Sequence, residues 1–236
     1  MKRLSNFDSV IGAFTAVTII TLWVTNLVYL LNCEVTLYDW KIYALFLVQT
    51  HLYTGLFITA HDAIHQCISK IRFVNNRLGR IASALFMFNS YSRLHDNHMK
   101  HHRYNGTSKD PDYHDVDSFF PWFAKFVSAY VTWKQIVFVA LAFNLLWYMF
   151  PVENVILFYT LPSILATFQM FYFGTFAPHT GTHENKHKSR TLSKNHLWAF
   201  VSCYFFGYHY EHHDAPWIPW WRLFHEKNKL LQEGMK

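Results

Sequence analysis

SVIGAFTAVTIITLWVTNLVYLLNC, residues Ser9–Cys33, carries no charged side chain over 25 positions and is bounded by Asp8 and Glu34. A helix that crosses a bilayer needs about 20 mostly apolar residues. A soluble helix of this length normally keeps a charged face. The run therefore reads as a membrane span. It is too long for the apolar region of a signal peptide, and no small-x-small cleavage site follows it, so it reads as an uncleaved anchor. Three more runs share its character: Ile42–Ala60, Gln135–Val152 and Asn154–Pro178. The third run is the shortest of the four, and Phe126–Trp133 extends it past Lys134.

Composition agrees with this reading. Of 236 residues, 52% are apolar, 19% aromatic and only 15% charged, whereas soluble domains are about a quarter charged. Disordered chains, coiled coils and collagen-like repeats are excluded. Cys33, Cys67 and Cys203 are isolated, which leaves no disulfide framework and no thiolate metal site. The length suits one domain. The expectation is a single membrane-embedded unit over residues 1–236, ordered from about residue 9 to 223, with a tail at 224–236.

If all four runs span, they form two hairpins. Residues 1–8, 61–134 and 179–236 then share one side of the membrane and hold 20 of the 21 Lys and Arg residues; only Lys41 lies opposite. The positive-inside rule makes that side cytoplasmic, both termini included. The net charge of +6 is thus a topology signal, and no nucleic-acid motif accompanies it. Ile81–Tyr91 and Leu197–Tyr208 are apolar but too short to cross, and read as interfacial or re-entrant helices. Pro216–Trp221 reads as an aromatic anchor at headgroup depth.

The same division sorts the 16 histidines, 15 of which fall on the cytoplasmic side, with His51 alone inside a span. Three clusters stand out: His61-Asp62-Ala63-Ile64-His65, His98-Met99-Lys100-His101-His102 and His209-Tyr210-Glu211-His212-His213. Spacings of three and four bring side chains onto one helix face. In His-x-x-His-His, the last residue is turned by about 100° from its neighbour, so one helix can serve two metals side by side. His179 follows the last run at the depth of His61, with His183 and His187 nearby. Imidazole suits Fe, Zn, Cu and Ni. Eight or nine imidazoles exceed the needs of one tetrahedral zinc, and two metals is the economical reading. Metal-bound imidazole usually gives its outer N–H to a carboxylate or carbonyl. Asp62, Asp96, Glu211 and the Asp110-Pro111-Asp112 segment are candidates for that role, while Asp115 and Asp117 read as a solvated loop. The fold class is therefore an all-α integral membrane protein: four transmembrane helices in two hairpins, plus interfacial and cytoplasmic helices carrying a histidine-rich di-metal site.

His61-Asp-Ala-Ile-His65, His98-x-x-His-His102, Asp110-Pro-Asp112, Phe173-Gly-Thr-Phe-Ala-Pro-His179, His209-Tyr-Glu-His-His213 and Pro219-Trp-Trp221 together resemble the bacterial CrtW-type β-carotene ketolases. These belong to the wider superfamily of membrane fatty acid desaturases and hydroxylases. The resemblance runs from about Phe57 to Trp221. It implies a non-haem di-iron oxygenase with His61, His65, His98, His101, His102, His179, His209, His212 and His213 as ligands. Asp62, Asp110, Asp112 and Glu211 would be the carboxylates of the catalytic machinery. It implies β-carotene as substrate, O₂ as co-substrate, oxidation of ring carbon C4 to a ketone, and products echinenone and canthaxanthin. Electrons would come from an external donor of the ferredoxin type, because no flavin, haem or iron–sulfur motif is present. The setting would be a bacterial cytoplasmic membrane, or a thylakoid membrane in a photosynthetic source. The competing readings are a carotenoid 3-hydroxylase or lipid desaturase of the same superfamily, and a metal transporter. Transport favours polar residues within several spans, where this chain has only His51.

Overall fold

The computed structural model describes residues 4–36, 38–192 and 195–232. Helix α1 (Asn6–Asn32) begins where the Ser5 hydroxyl accepts the Asp8 N–H at 3.0 Å, satisfying one of the donors a helix start leaves free. Helix α2 (Trp40–Ile64) starts in the same way at Asp39, whose carboxylate accepts the Lys41 N–H. Amphipathic α3 (Arg72–Leu85) and α4 (Tyr91–Tyr104) follow. After them come α5 (Phe119–Tyr130), α6 (Trp133–Met149) and the long α7, which runs from Val152 to His179. Two π-type segments, Val155–Thr160 and Tyr172–Phe176, interrupt α7. The chain ends in α8 (His196–Cys203), α9 (His209–Asp214) and α10 (Leu223–Gln232). There is no strand among the described residues.

Helices α1, α2 and α7 form the central stack. Leu30, Tyr53, Leu56, Ile58, Phe158 and Phe171 are fully enclosed where they meet. Several polar side chains inside this stack are paired, which offsets the cost of burying them. Tyr53 donates to the Tyr159 carbonyl at 3.0 Å, Asn26 to Gln49 at 2.8 Å and Thr54 to Gln169 at 2.6 Å. Asn154 closes the C-terminal end of α1 by donating to the carbonyls of Leu30 and Cys33. The outward faces carry exposed Phe14, Leu22, Val28, Leu141 and Trp147, an apolar surface suited to lipid.

Among the described residues three helices, α1, α2 and α7, are long and apolar enough to cross a membrane. The third run differs from the sequence expectation. Phe126–Trp133 does not extend α6 as one straight span: α5 and α6 are bent by 91° and count as a fourth crossing only if taken together. The break has local causes. Val131 and Thr132 are extended, and the Thr132 hydroxyl caps α6 by accepting the Gln135 N–H. Arg93 and Asn97, both on α4, donate to the carbonyl of Ala129 at 2.6 and 2.8 Å.

The two shorter apolar stretches are helical in part, within α3 and α8. Pro216–Trp221 is less of an anchor than expected: Trp217 is exposed, but Trp220 packs edge-on against Tyr204 and stacks on Phe200. From Leu223 to Gln232 the chain is helix, with Leu223 and Leu230 buried, where a tail was expected; residues 233–236 lie outside the described residues.

Candidate metal centre

Four short segments deliver the histidines. The last turn of α2 supplies His61, and His65 follows at its cap. Helix α4, capped by Ser90, supplies His98, His101 and His102. The end of α7 supplies His179, and the six-residue α9 supplies His209, His212 and His213. Their ring nitrogens converge in two groups, each with its ligand atoms within 4.8 Å of one another: His61, His65, His98 and His212 in one, and His101, His179, His209 and His213 in the other. His102 joins the first, its Nε2 lying 3.1 Å from that of His98 and 2.9 Å from that of His212. The turn between adjacent helical residues does the sorting. On α4, His98 and His102 face one group while His101 faces the other. On α9, His212 is separated from His209 and His213 in the same way.

Within each group Nε2 meets Nε2. The separations are 3.2 Å for His61–His212 and 2.7 Å for His65–His98. In the second group they are 2.9 Å for His179–His209, 3.0 Å for His101–His213 and 3.0 Å for His209–His213. The outer nitrogens are directed elsewhere. His61 Nδ1 lies 3.2 Å from Asp62, His101 Nδ1 lies 3.1 Å from both oxygens of Asp110, and His179 Nδ1 donates to the Lys188 carbonyl at 2.9 Å. Those contacts place the proton on Nδ1 and turn the Nε2 lone pair inward. Lone pairs gathered in this way repel unless a cation sits among them. The donor set therefore fits a pair of metal ions, and all-imidazole donors suit Fe, Zn, Cu or Ni.

The electrostatics keep these rings in their ligating form. Burial, reinforced by neighbouring histidines, pushes His65, His98, His209, His212 and His213 well below the ordinary 6.5, and His102 down to about 2. His101 is the exception: burial pushes it down, but the Asp110 and Asp112 carboxylates more than offset this and hold it above its ordinary value. Burial and the adjacent Asp110 push Asp112 up to about 6, against the opposing pull of His101 and Tyr130.

Three of the four expected carboxylates, Asp62, Asp110 and Asp112, lie behind the rings. Asp62 bridges His61 and the backbone N–H of Trp220, which donates to its other oxygen at 3.0 Å. Asp110 also accepts the backbone N–H groups of Gly106 and Asp112. Asp112 lies 3.8 Å from His101 Nδ1 and accepts the Tyr130 hydroxyl at 2.7 Å. Glu211 is fully buried and accepts the Thr191 hydroxyl. Asp96 is not part of this arrangement; it pairs with His95 on the surface. Asp117 is less idle than expected, since it accepts the N–H of Gly181. Gly181 has φ +87, a conformation that glycine adopts without strain. His183 and His187 stand outside both groups, meeting the Thr180 carbonyl and Asp214 respectively. Tyr130, the Trp220 N–H and the Lys188 carbonyl were not anticipated.

Two cavities reach this centre. One is walled by Phe57, Phe86, Phe126, Tyr130 and Phe206 and ends on His98, His101 and His209. Gly174, on the second π segment, is required there: a Cβ in its place would lie 2.0 Å from the Phe206 ring. The other is bordered by the polar side chains of Asp110, Asp112, His179 and Lys188. Asp112 borders both.

The family model for fatty acid desaturases matches residues 38–134 and 119–233. The chain belongs to the fatty acid desaturase family. Among desaturase-family proteins it is 39% identical over 234 residues to zeaxanthin 4-ketolase of Chlamydomonas reinhardtii, covering 90% of this chain and 52% of that one. It is 38% identical to β-carotene ketolase of Haematococcus lacustris over 77% of this chain and 61% of the other. Against β-carotene ketolase of a Paracoccus species the identity is 36%, over 75% of this chain and 76% of the other. The chain thus spans little more than half the length of the algal relatives. No solved structure matches this desaturase-family chain.

Proposed function

We infer that the chain is a β-carotene 4-ketolase. The observation that carries this reading is an apolar, aromatic-walled cavity ending on two groups of converging imidazoles, in a chain similar to carotenoid ketolases. β-Carotene is too apolar to leave the bilayer, and a cavity opening among membrane helices takes its ring without exposing it to water. The nine histidines would hold two iron ions, which when bound supply O₂ activation with two electrons drawn from outside.

The residues of the chain do the rest. Phe57, Phe86 and Phe206 desolvate the ring and exclude water from the reacting carbon. Asp62 and Asp110 hold His61 and His101 with the N–H outward. On the substrate, each round at C4 consumes one O₂, two electrons and two protons, replaces one C–H by C–OH and releases one water. The second round on the same carbon gives a geminal diol, which loses water to form the ketone. One ring yields echinenone and two yield canthaxanthin. The polar cavity bordered by Asp110, His179 and Lys188 is a route for protons and water. A ferredoxin-type donor would approach the face carrying Lys100 and Arg103. The Lys and Arg distribution supports a cytoplasmic-membrane topology with the histidines and both termini on the cytoplasmic side.

The test is a pigment chromatogram from a bacterial host that accumulates β-carotene. A gain of about 14 or 28 mass units with a red-shifted band is expected for one or two ketones. A gain of about 16 or 32 would mean hydroxylation and replace this reading with the 3-hydroxylase. Unchanged β-carotene with protein present in the membrane overturns both and favours a lipid desaturase.

A further inference from the structure

Among the aromatic residues of the apolar cavity, Tyr130 is distinguished by how it is held. Phe57, Phe86, Phe126 and Phe206 offer only packing surfaces. Tyr130 is buried, lines the cavity and spends its hydroxyl on Asp112 Oδ1 at 2.7 Å. Asp112 is itself fixed, because its carbonyl accepts Trp122 Nε1–H at 2.6 Å and its N–H donates to Asp110. The backbone beside the tyrosine is held just as firmly: the Ala129 carbonyl takes the side-chain donors of Arg93 and Asn97. These two residues precede His98, His101 and His102 on the same helix, Asn97 directly before His98. The backbone end of the tyrosine is thus tied to the helix that carries three of the histidines and its hydroxyl to a carboxylate 3.8 Å from His101, and the helix ends at this residue in the 91° bend.

We propose that Tyr130 is a specificity-determining residue that sets which methylene of the carotenoid ring faces the histidine groups. The proposal rests on the ketolase reading. C3 and C4 are adjacent on the ring, so a shift of one carbon–carbon bond length converts one outcome into the other. Packing between apolar surfaces is non-directional and does not hold such a register. A ring clamped at both ends does, because it cannot swing sideways without breaking a buried hydrogen bond. The tyrosine acts on substrate position and takes no part in moving electrons or protons.

The experiment uses full-length wild type, Tyr130→Phe and Arg93→Met in the β-carotene host, with products resolved by mass and retention and iron measured in the purified proteins. Tyr130→Phe is expected to raise the ratio of C3-hydroxylated to C4-oxidised product about tenfold while keeping its iron. Arg93→Met removes one of two donors from the Ala129 carbonyl and is expected to raise the ratio by a smaller factor; it carries the test alone if Tyr130→Phe does not accumulate. A readout without turnover accompanies these: β-carotene titrated anaerobically, with no electron donor, into the proteins in nanodiscs, followed by tryptophan quenching. Retained binding with altered product ratio supports the assignment. A wild-type ratio in both variants overturns it, as does an altered ratio accompanied by loss of iron. No ketone from the wild type overturns the ketolase reading itself, and the tyrosine assignment with it.

Discussion

Each imidazole of the two groups has two nitrogens, and at His61, His101 and His179 the two face different partners. At His101 the inward Nε2 meets His209 and His213 while the outward Nδ1 faces Asp110. His101→Ala or His212→Ala removes a donor from one group and is expected to abolish ketone formation while the protein still inserts in the membrane; retained wild-type activity in either would remove that residue from the ligand set. Asp110→Asn keeps the volume but not the charge behind His101. It is expected to weaken iron retention about 10–100-fold, read by chelator competition. The pH response follows from burial. Six histidines have folded-state values below the ordinary 6.5, so below that pH the unfolded chain binds more protons than the folded one. Their contribution is fully present above pH 6.5 and is lost as pH falls below it, whereas His101, shifted upward, works in the opposite sense. Iron-depleted protein is therefore expected to melt at lower temperature at pH 5.5 than at pH 7.5. An equal or higher melting temperature at pH 5.5 would contradict the burial of these rings.

At the scale of elements, what sequence reveals and what it conceals divide cleanly. The uncharged runs around Ser9–Cys33, Ile42–Ala60 and Asn154–Pro178 are legible because a span has no alternative chemistry: lipid admits no charge over that length. The histidine spacings on α4 and α9 are legible because helical periodicity is fixed. The bend between α5 and α6 is less so, since Phe126–Trp133 is as apolar as its neighbours and the Ala129 carbonyl beside the break is held by Arg93 and Asn97, more than thirty residues earlier. The Lys188 carbonyl and the Trp220 N–H are equally silent, because backbone atoms are common to every residue. The π segment in α7 gives a prediction of its own. Gly174→Ala forces a Cβ onto the Phe206 ring, which packs on His61 at 5.1 Å. Overpacking of this kind costs about 1–3 kcal/mol. Thermal unfolding should register it, together with a fall in ketone yield.

For the whole molecule, three long helices and a bent pair form a scaffold whose histidines collect at one end of the spans. The proposed topology puts that end and both chain termini on one side, and the Asp8–Arg222 ion pair at 2.6 Å joins the start of α1 to the segment before α10. Reporter tags at the two termini are expected to show the same accessibility from the cytoplasm, and a tag in the 33–39 loop the opposite. A split result for the termini would remove one crossing from the count.

The Trp220 N–H on Asp62 has a practical consequence. A gene shortened from its 3′ end past codon 220 removes no histidine of the two groups and no long apolar helix, yet it deprives a buried carboxylate of its backbone donor and frees the Asp62–His61 pair to reorient. Such a deletion series would behave like a ligand knockout, and an investigator mapping the minimal enzyme would place the edge of the active site near the end of the chain, far in sequence from the helix mouth it supports.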